Sequence, residues 1–407
     1  MDLLFDSAAE EFRTEVRDWL RANVPAQPLQ SMDTPAGFEQ HRQWEHTMAE
    51  ARMSVVSWPA EYGGRDVPLL HWLIFEEEYY RSGAPGRVSQ NGIFLLAPTL
   101  FDHANEGQLA RIMPRMARAD DIWGQAWSEP EAGSDLASLR STATRVDGGW
   151  VLNGQKTWSS RSSYADMGFG LFRSDPDQQR HRGLTYFMFD LNADGVTRRP
   201  INQLDGEPGF AELFLDNVFV PDDPDQPAES GVIGEVGDGW RVAMATAANE
   251  RGLSLRSPGR FLATTDRLLA LWNSGDKPAN MADRVADAWI GSRAYELSTY
   301  ATVSRLAEGG QLGMESSINK VFWSQWDIAT HETALDLLGV DAEFADGTEF
   351  PYGAEFSYSA WMDGYLFSLS GPIYAGTNEV QRNVIAERLL GLPRQNPAPR
   401  SAGGATK

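Results

Sequence analysis

Near the N-terminus, Leu4, Phe5, Ala8, Phe12, Val16 and Trp19 recur at close to helical spacing, while Glu10, Glu11, Arg13 and Arg17 fall largely on the other face. This predicts an amphipathic helix, and helical spacing continues over residues 1–121. Glu76, Glu77 and Glu78 lie in another such helix, where a charge run is expected to form a solvated face. Over residues 122–236 the pattern changes to short apolar runs between polar turns. Leu184–Leu191 and Glu212–Val220, rich in Phe, Leu and Val, read as strands, with turns at Ser174–Arg182 and Pro221–Gly231. Asn153-Gly154, between apolar flanks, predicts a hairpin turn. From Gly237 onward helical spacing returns. Met281–Arg305 and Ser316–Leu338 read as long helices, and Asn273–Asn280 as a helix–helix connection. Asp341–Phe356 reads as an acidic excursion, and residues 396–407 as a disordered tail of small and polar residues. The outline is helices, then a β barrel or sandwich, then helices over 237–395: an α+β, multi-domain chain.

At 407 residues the chain is long enough for two or three domains. The net charge of −22 argues against duplex nucleic acid or an anionic membrane as partner, since both would repel it. The absence of cysteine removes disulfides, thiolate nucleophiles and Cys-zinc sites together, and fits a reducing compartment. The first twenty residues lack the basic start and apolar core of a signal peptide. The most apolar run, Gly92–Phe101, is about half of the ~20 residues a membrane helix needs. A cytoplasmic protein is expected.

The chemistry concentrates in Trp123-Gly-Gln-Ala-Trp-Ser-Glu-Pro-Glu-Ala-Gly-Ser-Asp135, Asn153-Gly-Gln-Lys-Thr-Trp-Ser-Ser160 and Ile373-Tyr-Ala-Gly-Thr-Asn-Glu-Val-Gln-Arg382. Trp127 and Trp158 stand beside small hydroxyls, Ser128 and then Ser159 and Ser160. A flavin needs a flat apolar wall and hydrogen-bond partners for its polar edge, and this mix supplies both. A tryptophan alone in a strand is more often core. Together and in this order, the segments resemble the acyl-CoA dehydrogenase family of flavoproteins. The resemblance runs from the first helix to Arg394 and includes Ser57-Trp-Pro-Ala-Glu-Tyr-Gly-Gly64 and Val236-Gly-Asp-Gly-Trp240. Glu131 departs from the signature, which usually has Gly there.

The resemblance implies an N-terminal α-helical domain (1–121), a middle β domain (122–236), a C-terminal four-helix bundle (237–395) and FAD as cofactor. It implies that Gln125, Trp127, Ser128, Trp158, Ser159, Ser160, Thr377 and Glu379 contact the flavin. It further implies that Ser134 faces the CoA moiety and that Tyr374, Gly376 and Arg251 lie at the substrate. Thr377 also reads as a helix N-cap. Gln381–Arg394 resembles the last helix, which usually helps to build a tetramer, and an electron-transferring flavoprotein is the implied acceptor. The family's Arg-x-x-Phe-Gly segment, which holds the flavin pyrophosphate across a subunit interface, has no counterpart over residues 260–284.

The family reaction takes a proton from the α-carbon of an acyl thioester and a hydride from its β-carbon. A carboxylate in a dry site must accept the proton, and a donor must hold the thioester oxygen. The usual glutamate before Gly376-Thr377 is replaced by Ala375, whose backbone N–H still supplies the donor. Glu250, followed by Arg251, stands where another branch of the family carries its glutamate, on the first long helix of the C-terminal region. Unaided, Glu250-Arg251 reads as an exposed pair, yet the nearly all small and apolar run Val242–Ala248 before it suggests close packing. Glu250 is the expected base, and the space left by Ala375 favours a bulky or branched acyl group. Two alternatives stay open: a non-catalytic subunit of a heteromeric dehydrogenase, and a related flavin oxidase or oxygenase.

Other constellations fail. His41 and His46 are five apart and share no helical face for zinc. The chain has no phosphate loop, no Gly-x-Gly-x-x-Gly opening a helix, and no Gly-x-Ser-x-Gly.

Overall fold

The computed structural model describes residues 5–251, 257–310, 313, 316–343 and 361–394. Helix α1 (Ser7–Asn23) starts at Asp6, whose carboxylate accepts the Ala9 N–H at 2.8 Å, and it buries Ala9, Phe12, Val16 and Leu20. Helices α2 (Pro35–Glu50) and α3 (Leu69–Arg81) follow. A π-helical turn, Asn91–Leu96, then runs into α4 (Ala97–His103), and α5 (Glu106–Ala117) closes the N-terminal helices. His41 is a core histidine, its ring nitrogens 2.7 Å from the Gly86 carbonyl and 3.1 Å from that of Gln30.

The Glu76–Glu78 run is not a solvated face: Trp72 to Tyr80 are all buried, the glutamates included. Glu78 accepts from Arg13 and Arg17 at 2.9 Å and from Arg81 at 3.0 Å. Glu77 accepts from Arg13 at 3.1 Å and from the Tyr300 hydroxyl at 2.5 Å. Burial pushes the Glu77 carboxyl up, and Tyr300 and Arg13 offset only part of that. The expectation failed because α3 packs against α1, α7 and α8, and the charges that satisfy it lie far away in sequence. Glu78→Ala is expected to cost about 2 kcal/mol in urea unfolding, because charge-assisted hydrogen bonds are lost around the half-buried Arg13.

The middle of the chain forms one eight-stranded sheet. Its strands are β1 (Trp123–Ala126), β2 (Thr142–Val146), β3 (Gly149–Ser160), β4 (Met167–Arg173), β5 (Leu184–Asp190), β6 (Val196–Ile201), β7 (Phe210–Pro221) and β8 (Val232–Ile233). The order is β6-β7-β3-β2-β4-β5-β8, with β1 parallel to β4. Alternate residues of β5 enter different cores. Leu184, Tyr186 and Met188 pack with the Asn91–Leu96 turn and α4, whereas Phe187 and Phe189 pack with Leu152, Phe172 and Leu213.

Asn153-Gly154 is not the hairpin turn. Strand β3 runs straight through it, and the β2–β3 turn falls at Asp147-Gly148, with Gly148 at φ +72°. Both dipeptides suit a turn. The glycine at 154 serves instead a break in the β3–β7 register, where φ is +145° and a Cβ would lie 2.2 Å from Ser141 Oγ.

The C-terminal helices are α6 (Gly239–Arg251), α7 (Pro258–Ser274), α8 (Ala282–Ala307), α9 (Ser316–Leu338), α10 (Trp361–Ser368) and α11 (Asn378–Val384). Helices α7, α8 and α9 pack on one another, and the α7–α8 link, residues 275–281, overlaps the expected Asn273–Asn280 stretch. The last helix starts earlier than expected, at Asn378, and continues as a π-helical turn over Ile385–Leu389 before Gly391 at φ +68°. Most of the Asp341–Phe356 excursion and the tail from residue 396 lie outside the described residues. Among the described residues no helix is long and apolar enough to cross a membrane.

Candidate active site

The loop after β1 is fastened to β3 from below. The Thr157 N–H donates to the Ser128 carbonyl at 2.9 Å, setting Ser128 beside the end of β3. Lys156 is fully buried and donates to Glu129 at 2.9 Å, to the Leu171 carbonyl at 2.8 Å and to the Trp127 carbonyl at 3.5 Å. The same Glu129 carboxylate accepts the Arg140 and Ser141 backbone N–H groups at 2.6 and 2.9 Å. Burial alone would raise the Glu129 carboxyl; Lys156 and these hydrogen bonds outweigh it and hold it below the ordinary carboxylate range. Burial lowers the Lys156 ammonium, with Glu129 offsetting part of the shift.

Above this girder, the β3–β7 register shifts between Lys156 and Ser159, and the bulge turns Trp158 out of the sheet. Trp158 has φ +58° and is 59% exposed, its ring meeting Phe210 edge-on at 5.9 Å. A bulky residue in this backbone region is strained, and such strain gathers at functional sites. Ser159 is fully buried, with no partner for its hydroxyl among the described residues. Ser160 is half-buried, and its carbonyl accepts from Asn91 Nδ2 at 3.2 Å. Gln125, on β1, has a buried side-chain nitrogen without a partner among the described residues. Positions 125–128 and 157–160 are thus brought together.

A buried polar chain leads from this loop to α6. Trp127 Nε1 donates to the Tyr186 hydroxyl at 3.0 Å, which lies 3.3 Å from Thr246 Oγ1, itself 2.8 Å from Thr99 Oγ1 on α4. Val242, Ala243, Thr246 and Ala247 are buried, so the small, apolar run does pack closely. Position 250 lies one helical turn beyond Thr246 on α6. The side chains of Glu250 and Arg251 lie outside the described residues.

The third segment stands on the C-terminal bundle. Ala375 has φ +55° and Gly376 φ +78°, and Gln381 Nε2 donates to both their carbonyls, at 2.9 and 3.2 Å. Thr377 caps α11, its hydroxyl accepting the Val380 N–H at 3.2 Å. Asn378 fixes the loop from below by accepting from buried Lys320 at 3.0 Å. Tyr374 packs on Trp323 at 5.9 Å, while Glu379 faces solvent beside Arg382. Ser134 is exposed on the loop beyond β1.

Helix α3, the segment before it and the Asn91–Leu96 turn enclose a cavity of about 330 Å³. Its walls include Trp58, Trp72, Phe75, Phe94 and Phe101. No sequence reading placed Trp72 or Phe75 at a site; only their crowding with Trp58 and Phe94 in the fold shows it.

Residues 6–120, 124–218 and 237–390 match the models of the N-terminal, middle and C-terminal domains of acyl-CoA dehydrogenase. The chain belongs to the acyl-CoA dehydrogenase family. It is 37% identical over 396 residues to acyl-CoA dehydrogenase IpdE1 of Mycobacterium tuberculosis, a match covering 95% of this chain and 98% of the relative. The solved ChsE4-ChsE5 complex of Mycobacterium tuberculosis is similar with a TM-score of 0.79 at 27% identity, covering 97% of this chain and 100% of that one. The Tcur3481-Tcur3483 steroid ACAD shares the fold, with a TM-score of 0.83 at 24% identity over 97% of this chain and 100% of that one.

As an acyl-CoA dehydrogenase the chain is a flavin-dependent oxidoreductase, and its residues fit a flavin. The exposed, strained Trp158 offers a flat apolar face, and Gln125 on β1 carries a buried donor without a partner among the described residues. Binding a planar ring against Trp158 would bury indole surface otherwise left in water. Trp158→Ala is expected to weaken flavin binding by roughly 10-fold, read as flavin lost on dilution and gel filtration.

Proposed function

We propose that this chain oxidises the α,β bond of a bulky or branched acyl-CoA with FAD as cofactor, Glu250 being the base that takes the α-proton. The carrying observation is the hydrogen-bonded seat of α6. Thr246 is tied to Tyr186 and Thr99, so the turn before position 250 packs against the elements beside the flavin loop and the cavity. The carboxylate absent at Ala375 leaves α6 to supply the base. The Ala375 N–H would hold the thioester oxygen and stabilise charge as the α-proton leaves. When bound, FAD supplies the acceptor for the β-hydride. With the α-proton on Glu250 and the β-hydride taken up by the cofactor, the product would be the enoyl thioester. Ser128, Ser159, Ser160, Thr377 and Glu379 are assigned to the flavin, Ser134 to CoA, and Arg251, Tyr374 and Gly376 to the substrate.

The substrate reading rests on the aromatic cavity beside α4 and on the space left at Ala375. The relative IpdE1 is named an acyl-CoA dehydrogenase, and one structural neighbour is titled a steroid ACAD. Anaerobic mixing with a panel of acyl-CoAs tests it: flavin bleaching faster with a ring-bearing acyl group than with butanoyl-CoA is the expected result. A clear preference for butanoyl-CoA over every bulky acyl-CoA contradicts it. Turnover in the cytoplasm, with an electron-transferring flavoprotein taking the electrons, completes the assignment.

A second reading concerns assembly. The stretch over residues 260–284 lacks the Arg-x-x-Phe-Gly segment, and a neighbour at 27% identity is titled as a complex of two chains. We infer that the chain works in a tetramer or dimer in which another subunit helps to hold the FAD pyrophosphate. Flavin counted per chain after expression alone decides this: about one FAD per chain supports a self-sufficient homomer, and a folded, colourless protein supports a heteromer.

A further inference from the structure

We infer that Gln381 is a positioning residue for the dehydrogenation: it holds the Ala375-Gly376 turn from behind, so that the Ala375 N–H is presented to the thioester oxygen. The inference rests on the acyl-CoA dehydrogenase reading, with Ala375 as the thioester donor, and adds the side chain that keeps that donor in place.

Ala375 stands at φ +55°, on the left-handed side that an alanine Cβ disfavours, and Gly376 follows at φ +78°. Successive residues of one hand turn their carbonyls to one side of the chain and their N–H groups to the other, which is how backbone amides form a cradle for negative charge. Gln381 collects the carbonyls: its Nε2 donates to that of Ala375 at 2.9 Å and to that of Gly376 at 3.2 Å. The amide side of the turn is then the one offered to a ligand.

The glutamine has little freedom of its own. Its backbone N–H donates to the Thr377 carbonyl at 2.9 Å within the start of α11. Helical side chains lean toward the N-terminus of their helix, which carries the Gln381 amide back under residues 375 and 376. The side chain is fully buried, and a Cβ on Gly376 would lie 2.6 Å from Nε2. Its Oε1 is buried without a hydrogen-bond partner among the described residues. Turning the amide over would set Oε1 against two carbonyl oxygens, so the turn fixes which way the amide points.

The segment is also anchored before and after the turn. Tyr374 donates its N–H to the Ser370 carbonyl at 3.1 Å, and its ring packs on Trp323 at 5.9 Å and on Phe367 at 6.1 Å. The Asn378 N–H donates to the Pro372 carbonyl at 2.8 Å, and its side-chain oxygen accepts from Lys320 and Ser324 at 3.0 and 3.1 Å. Lys320 donates to the Gly371 carbonyl as well, at 2.7 Å. The peptide that carries the Ala375 N–H thus lies between an aromatic anchor and a carbonyl held by Gln381, and Gln381 bonds the left-handed alanine itself. A donor to a developing enolate works by standing in place before the charge forms, held there by groups that need not touch the substrate.

The test uses the flavin-loaded protein and two variants. Gln381→Met keeps the length of the side chain and removes the donor, and Gln381→Glu keeps its shape and puts an oxygen where the donor was. The probe is tert-butylacetyl-CoA, labelled with carbon-13 at the thioester carbonyl; its β-carbon bears no hydrogen, so it binds without being oxidised. Difference infrared spectra are expected to show the carbonyl stretch lowered on binding to the native protein and lowered less in both variants. With an oxidisable acyl-CoA, kcat should fall by roughly 10- to 10²-fold while KM changes little, short of the roughly 10²–10³-fold loss when an oxyanion donor is removed outright. A native carbonyl stretch in both variants overturns the inference, whatever happens to kcat. If Gln381→Met does not fold, Gln381→Glu decides alone; failure of both to fold assigns Gln381 to packing and also overturns it. A stretch that is not lowered even in the native protein overturns the reading of Ala375 as the thioester donor.

Discussion

The Glu250→Gln protein is expected to keep its flavin and to lose turnover by roughly 10²–10⁴-fold, the usual contribution of a positioned general base. Glutamine keeps the size and the hydrogen-bonding oxygen of the side chain but takes no proton at neutral pH. Rapid mixing with acyl-CoA under anaerobic conditions should show substrate binding without bleaching. The loss should fall on kcat, because the proton moves only on the way to the transition state. A second carboxylate position gives the control. Ala375 stands at the left-handed φ of +55°, so the backbone there already carries a Cβ in that conformation. Adding Ala375→Glu to Glu250→Gln should restore part of the activity toward small acyl groups and less toward bulky ones, because the new side chain occupies the space the alanine left. Normal turnover by Glu250→Gln would remove Glu250 from the mechanism. Equal rescue for small and bulky substrates would remove the link between Ala375 and acyl size.

What the sequence reveals of the fold and of the candidate site differs by segment. The loop after β1 and the end of β3 are contiguous stretches of the sequence, and the fold brings them together through the bond from Thr157 to Ser128. The long helices α8 and α9 fall within two residues of the bounds expected from sequence, although the buried stripe of α9 is largely polar. What failed depended on partners remote in sequence. Glu76–Glu78 could not be told from a solvated face until Arg13, Arg17 and Tyr300 were placed around it. Asn153-Gly154 and Asp147-Gly148 are equally good turn formers, and only pairing of β3 with β7 decides which one bends. The cavity joins residues from separate elements, so no local pattern announces it. Lys156 is the sharpest case: within the sequence it is one polar residue of a strand, and in the fold it is fully buried and bonded to the loop after β1.

Lys156→Met is accordingly expected to cost about 3–5 kcal/mol of stability at neutral pH, the range for breaking a buried ion pair by removing one partner. Methionine fills much of the lysine's volume, so the loss is electrostatic more than steric. Glu129 would remain buried without its ion-pair partner, still accepting the Arg140 and Ser141 N–H groups. The bonds from Lys156 to the Trp127 and Leu171 carbonyls would also go, loosening the loop that presents Ser128, so flavin retention should fall with stability. Acid separates the charge from the packing. In the native protein the Glu129 carboxyl is depressed, so its stabilisation is present above the unfolded carboxylate pKa and is lost as pH falls through the folded one. In Lys156→Met the cation is gone, burial raises the same carboxyl, and protonation on acidification relieves the variant. The stability gap between the two proteins should therefore narrow from pH ~7 to pH ~4 in urea unfolding. The double variant Glu129→Gln/Lys156→Met should recover a large share of the loss at pH ~7, since it buries no unpaired charge. A gap independent of pH, with no recovery in the double variant, would assign Lys156 to packing and leave the loop's position to its backbone bond with Thr157.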